Sequence, residues 1–260
     1  MKLLLIKLWA VPVLLCSCFT LFAQDTVWVD ASKVNTQFLK EGKNHYLVYF
    51  KMSKDSPRMR PQFWTRNIAF ENYNGKEAIV VTQEWEDRDS LVHTVKSVCD
   101  KKTFAPLYQQ SWWKQRGSSE YDFVSKTAKV NDKPLTDADT VGVRKTSWLA
   151  FQKAYTQYTL NWHLDLEVFP LLAYKAGVTF MIPFYDPGFS APKHEAYTVS
   201  GSGQLEGYDK QKIDCWLLTH ESKGVKEVFW ISKKTHEVLK LENEIGKDRW
   251  RYKIKLGFSM

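Results

Sequence analysis

Most of the chain alternates apolar and polar residues with a period of two. HYLVYFKM (45–52), EAIVVTQEW (77–85) and SLVHTVKSVC (90–99) predict strands, and the acidic EDRD (86–89) forms the hairpin tip between the last two. PLYQQSWWK (106–114) and SSEYDFVSK (118–126) predict a second hairpin around Arg116-Gly117. Beyond residue 176 the runs GVTFMIPFY, AYTVSGSG, KIDCWLLTH, VKEVFWIS, EVLKLENE and DRWRYKIKLGF follow one another, separated at most breaks by turn residues, as in an antiparallel meander. In the last run Trp250, Tyr252, Ile254 and Leu256 share one face, and Arg249, Arg251, Lys253 and Lys255 share the other. The aromatic side is expected to face the interior and the basic side to face water.

One segment breaks the alternation. From Lys145 to Phe169 the residues Trp148, Phe151, Tyr155, Tyr158, Trp162, Leu166 and Phe169 recur every three or four positions. At helical periodicity they fall within an arc of roughly 80°, and Pro170 ends the pattern. Leu149, Leu160 and Leu164 lie off that arc, which gives the expected helix a second apolar side. The fold class read from these patterns is mainly β (α+β). A curved antiparallel sheet or half-open β-barrel of about ten to twelve strands is expected to wrap around one long amphipathic helix. Residues 24–260 form a single domain in this reading, with two sheet halves at about 40–140 and 177–258 joined by a helix at about 145–169. SVCDKKTFAPLYQQ (97–110) and FWISKKTHEVLKLE (229–242) echo each other: a strand, Asp or Ser, Lys-Lys-Thr, then a strand. One turn chemistry is thus used once in each half.

The chain opens MKLLLIKLWAVPVLLCSCFTLFAQDT, in which Lys2 and Lys7 precede an apolar stretch that reaches Phe22. Small Ala23 before polar Gln24 and Asp25 makes residues 1–23 an expected export signal. A lipoprotein alternative rests on Leu15-Cys16-Ser17-Cys18, with Cys18 acylated, but the apolar core continues past that cysteine. Removal of residues 1–23 takes two lysines and lowers the net charge from +8 to +6 over 237 residues. A charge so thinly spread argues against a nucleic-acid partner, and the mature chain has no run of membrane-spanning length. A mildly basic exported protein suits an anionic lipid or an envelope polysaccharide. Cys99 and Cys215 could pair in an oxidising compartment; the alternative is two buried free thiols.

Motifs for nucleophilic catalysis or phosphate binding are absent: there is no GxSxG, Walker loop or GxGxxG. Gly201-Ser202-Gly203 reads as a strand bend or bulge. His163 and Glu167 lie one helical turn apart, which suits a solvated side-chain pair better than a metal site, since no further ligands at metal spacing stand out. Glu84, Glu86, Asp87 and Asp89 lack the spacing of a calcium loop. Asp186 stands in FMIPFYDPGFSAP (180–192). Asp-Pro-Gly has the chemistry of a turn, with Pro187 presetting φ and Gly188 taking positive φ, so Asp186 is expected to start a turn. No cofactor is expected.

LDLEVFPLLAYKAGVTFMIPFYDPG, with KIDCWLL and VFWISKKTHEVLKLE, resembles an uncharacterised family of exported bacterial proteins, a domain of unknown function. That family is similar to the periplasmic lipoprotein-carrier superfamily, whose members wrap a curved sheet around helices and hold acyl chains inside. The resemblance implies a non-enzymatic protein of the bacterial periplasm or cell envelope that binds a lipid, another hydrophobic ligand or a lipidated partner. The expected lining is Trp148, Phe151, Tyr155, Tyr158 and Trp162 from the helix, with Trp250 and Tyr252 opposite. A carbohydrate-binding or structural module is the rival expectation, because adjacent Trp112 and Trp113 must point to opposite faces of one strand. A hydrolase built on the acidic residues ranks below both.

Overall fold

The computed structural model describes residues 25–207, 210–246 and 248–257. The expected signal, with Cys16 and Cys18, lies outside the described residues. Sixteen strands follow along the chain: β1 (Thr26–Trp28), β2 (Gly42–Lys51), β3 (Met59–Tyr73), β4 (Lys76–Asp87), β5 (Ser90–Asp100), β6 (Pro106–Trp113), β7 (Gly117–Asp122), β8 (Thr127–Val130), β9 (Lys133–Pro134), β10 (Leu160–Asn161), β11 (Thr179–Asp186), β12 (Ser190–Glu206), β13 (Lys212–Ser222), β14 (Val225–Ser232), β15 (Val238–Ile245) and β16 (Trp250–Leu256). They form one open sheet in the order 1-11-12-13-14-15-16-2-3-4-5-6-7-8-9, with β10 paired off this path to β11. The two arms join where the last strand, β16, pairs antiparallel with β2.

The sheet is larger than the ten to twelve strands expected and is not wholly antiparallel. β1 and β10 both run parallel to β11. Strands of two or three residues carry no alternation to read, which is why the sequence pattern passes over β1, β9 and β10. Turn chemistry supports the long hairpins. Asn74-Gly75, Asn131-Asp132 and Lys223-Gly224 each bridge two strands with both residues at positive φ, the type I′ geometry that matches strand twist. The register slips between Val199 and Gly201, as expected for a bulge at the glycine-rich stretch. Gly203 is required by packing: a Cβ there would lie 2.7 Å from the Trp230 ring.

The two Lys-Lys-Thr loops have the same construction. The Asp100 carboxylate accepts from the backbone N–H of Lys102 and Thr103 and from the Thr103 hydroxyl. The Phe104 N–H donates to Asp100 O, and Phe104 sits at φ 56°. In the second loop the Thr235 N–H donates to Ser232 Oγ, His236 N–H donates to Ser232 O, and His236 sits at φ 61°.

The long helix is not observed. Instead, α1 (Gly142–Tyr155) ends early, and a short turn α2 (Asp165–Val168) follows, flanked by 3-10 turns at 162–164 and 169–171. Thr156 turns its hydroxyl back to Lys153 O, and the chain then extends so that Leu160-Asn161 pairs with Phe184-Tyr185. Asn161 restarts helical geometry by accepting from the His163 N–H. Two β-branched threonines between Tyr155 and Leu160 weaken helix there, and strand pairing supplies the alternative. The apolar spacing of three and four is real, but two short helical pieces share it.

The segment 160–172 is buried throughout except for half-exposed Trp162. Its Leu160, Leu164, Leu166, Val168 and Phe169 belong to one core with Tyr46, Trp64 and Val81 from one arm and Phe184, Phe229 and Leu241 from the other. Both arms therefore pack on a single internal segment. α1 covers a separate small core made with Tyr121, Ala128 and Tyr185. No helix among the described residues is long and apolar enough to cross a membrane.

Candidate functional site

Strand alternation on β3 sends Gln62, Trp64, Arg66 and Ile68 to the inner face, while β4 sends Trp85, Gln83, Val81 and Ile79. Register then sets ring against ring. Trp64 opposes Trp85, Trp85 opposes His93 on β5, and His93 opposes Trp113 on β6. Trp64 and Trp85 stack at 3.7 Å between centroids, His93 meets Trp85 edge-on at 4.5 Å, and His93 stacks on Trp113 at 3.6 Å. Phe189, just past β11, continues the row at 6.1 Å from Trp113. A cation closes each end: Lys253 lies 5.0 Å from the Trp64 centroid and Arg116 lies 5.0 Å from that of Phe189.

This row borders a cavity of about 310 Å³, at the small end of the range for ligand pockets. Trp64, Trp85, Trp113, Trp162, Phe50 and Phe189 supply its aromatic surface. Its floor is ionic. Arg66 donates from Nε to Glu167 Oε1 at 2.9 Å and from Nη2 to the His163 carbonyl at 2.7 Å, and Nη2 also reaches the second Glu167 oxygen. Lys253 Nζ donates to Asp165 Oδ2 at 2.6 Å, and Asp165 Oδ1 lies 3.5 Å from Arg66 Nη1. Gln83 adds a bond to the same His163 carbonyl at 2.8 Å. Burial acts to raise the Asp165 carboxyl, but Lys253 and Arg66 outweigh it and hold Asp165 below the usual carboxylate range.

His93 Nδ1 faces the Trp112 carbonyl at 2.8 Å, so that nitrogen carries the proton. Burial pushes the His93 pKa down to about 3, which keeps the ring neutral. Several buried polar atoms around the cavity have no hydrogen-bond partner among the described residues: Trp113 Nε1, His93 Nε2, His163 Nε2, Asp186 Oδ1 and Arg251 Nε. His163 Nε2 and Asp186 Oδ1 are 3.2 Å apart but out of line for a hydrogen bond. These atoms are sealed from solvent behind the apolar rings. The charged floor is held within itself.

Of the seven expected lining residues, only Trp162 borders this cavity. Phe151 is buried in the α1 core, with Trp148 and Tyr155 packed against it. Tyr158 packs on the main core and donates its hydroxyl to the Thr103 carbonyl at 2.8 Å. Trp250 and Tyr252 lie on the opposite face of β16, where Tyr252 is buried between Tyr49 and Trp250 and Lys54 lies over Trp250. β16 therefore turns its expected faces round. Lys253 and Lys255 are buried at 3% and 7% exposure, because Asp165 and Glu237 meet them inside. His163 and Glu167 are likewise buried rather than solvated, one beside Asp186 and the other on Arg66.

Asp186 does begin a turn: its carbonyl accepts from the Phe189 N–H at 3.0 Å, with Gly188 at φ 83°. Its carboxylate also lines the cavity, which the turn chemistry alone does not reveal. Cys99 and Cys215 are both buried free thiols on well-separated strands, which removes the disulfide alternative. Trp112 is 37% exposed on the outer face while Trp113 turns inward, as adjacent strand positions require. Among the described residues no group of three or more His, Cys, Asp or Glu side chains could hold a metal ion. The acidic tip at 86–89 is a plain hairpin end.

Arg66, Trp64, Trp85 and His93 are site residues that the sequence pattern does not single out, and 59–73 shows no clear apolar alternation. The signal is present as Trp64-x-Arg66-x-Ile68, but the inner face there carries a charge where an apolar residue is sought. No curated protein matches the chain. A family model described as a protein of unknown function, DUF3108, matches residues 45–254, from the first residues of β2 nearly to the end of β16, and the chain belongs to that family.

Proposed function

We propose that this is a non-enzymatic exported protein of the cell envelope that holds the apolar part of an uncharged ligand in the tryptophan-lined cavity. The carrying observation is the row Trp64–Trp85–His93–Trp113, whose three tryptophans line a cavity that Gln62, Asp186 and Arg251 also border. Aromatic walls with a few placed polar groups are the ordinary composition of a small-molecule site. The ionisable groups beneath support binding over catalysis. Arg66 and Lys253 are paired with Glu167 and Asp165, so the charged floor holds itself together. The open sheet packed on an internal segment suits the half-barrel of a lipoprotein carrier. The cavity is small, so a compact ring or one short chain suits it better than a two-chain lipid.

Titration with the apolar dye N-phenyl-1-naphthylamine tests this reading. Saturable binding of one dye per chain is expected, with quenching of tryptophan emission and loss of binding in Trp113→Leu, a variant checked for folding by circular dichroism. Absence of saturable binding, or binding unaffected by the Trp113 substitution, would refute the site.

A further inference from the structure

A second cavity of about 370 Å³ shares Trp162 and Asp186 with the first. The two cavities adjoin at these residues. The second lobe differs in chemistry. Ser190, Lys193, Glu195, His220, Ser222 and Lys223 contribute to its lining, with Tyr197 and Glu227 deeper in. We infer that the ligand is an amphiphile with an uncharged, hydroxyl-rich headgroup of the glycoside class. Its apolar part lies in the tryptophan lobe and its headgroup in the polar lobe. The inference rests on the binding site proposed above and names its ligand class.

Charge decides against an anionic headgroup. The lobe has two lysines, Lys193 and Lys223, against three carboxylates, Asp186, Glu195 and Glu227. Lys193 is paired with Glu195, while Glu227 accepts from Asn243 Nδ2 at 2.7 Å and lies 3.5 Å from Arg251. Lys223 has no acidic partner among the described residues, but a phosphate or carboxylate held there would share the lobe with three carboxylates. A polyol meets donors and acceptors of both kinds without adding charge. Asp186, on the shared wall, is an acceptor whose side chain is 25% exposed, with Oδ1 turned in beside His163 Nε2 at 3.2 Å. His220 adds another: its Nδ1 faces the Ala196 carbonyl at 2.8 Å, which makes Nδ1 the donor and leaves Nε2 to accept. The His220 ring lies over Tyr197 at 4.8 Å, so its plane is held.

Isothermal calorimetry with octyl glucoside below its micellar concentration, 1-octanol, octyl phosphate and glucose tests the inference on the full mature chain. Octyl glucoside is expected to bind about tenfold more tightly than 1-octanol, as one or two hydrogen bonds to charged groups would give. Glu195→Ala, at the polar lobe alone, should remove most of that advantage and leave 1-octanol binding unchanged. Lys223→Ala provides a second, fully surface variant with the same expectation. Equal affinity for alcohol and glycoside, or tighter binding of octyl phosphate, would overturn the headgroup assignment while the apolar site stood. Failure of the dye, the alcohol and the glycoside together would instead overturn the site itself.

Discussion

The Arg66 guanidinium and the Glu167 carboxylate meet as fork and fork, with Nε 2.9 Å from Oε1 and Nη2 on Oε2, although 101 positions separate them in the chain. Both side chains are nearly free of water, at 1% and 4% exposure. Arg66 also takes the carbonyl of His163, so a single side chain from the sheet fixes the turn that begins the internal segment. The wall of the cavity and the segment that closes it are thus tied at one residue.

Removing that tie should be severe. Arg66→Met leaves Glu167 and Asp165 buried with less compensation, and loss of one partner of a buried pair typically costs about 3–5 kcal/mol. Chemical denaturation of Arg66→Met, Glu167→Leu and the double variant tests it. The double variant should recover a large part of the loss, since the unpaired charge is then gone; additive losses would contradict the pairing.

Acid sensitivity should trace to His93. Its pKa is about 3 in the fold because burial disfavours the charged ring, against the ordinary value of 6.5 when unfolded. A depressed pKa contributes stability that is present above 6.5 and is lost as pH falls toward 3, because only the unfolded chain takes up the proton in that window. At about 1.4 kcal/mol per pH unit the loss reaches a few kcal/mol by pH 4. His93→Asn should flatten this part of the stability curve in urea titrations from pH 7 to pH 4. An unchanged slope would assign the sensitivity to other groups.

The two Lys-Lys-Thr loops predict an asymmetric pair of substitutions. Asp100→Ala removes three bonds to the loop and should cost about 1 kcal/mol. Ser232→Asp copies the first loop onto the second and should be neutral or slightly stabilising by thermal unfolding. A loss there as large as that for Asp100→Ala would deny that the loops share one construction.

At the DPG turn, backbone and carboxylate should separate. Gly188→Ala forces a Cβ to within 3.0 Å of the Tyr121 hydroxyl at a φ of 83°, and a loss of at least ~1 kcal/mol is expected. Asp186→Asn retains the carbonyl that closes the turn and should leave the unfolding midpoint within the range of a surface change, ~0.5 kcal/mol. Ligand affinity should fall in that variant, because Asp186 lines both cavities.

Period-two alternation showed most of the long strands and both loops of the internal echo, since each is a local pattern. Three features were not local. β3 was passed over because its inner face carries Arg66, whose partners Asp165 and Glu167 lie about a hundred positions away. The basic stripe on β16 was assigned to water by the same reasoning, yet Lys253 and Lys255 point inward to acids from other elements. The segment 145–169 has helical spacing in its apolar residues, and only the pairing of Leu160-Asn161 with β11 shows why the helix stops. Among the expected lining residues Trp162 reached the cavity, because it lies on the buried segment rather than on α1. A pattern of hydrophobicity identifies faces well but cannot say which face a distant charge will turn inward.

Native mass spectrometry of the protein, purified without detergent from its native source, tests the central claim most directly. The account predicts a discrete mass excess that leaves on denaturation and is absent from Trp113→Leu. A chain that carries no excess, and that gains none when offered octyl glucoside or the apolar dye, would contradict it and make the tryptophan row part of a closed core.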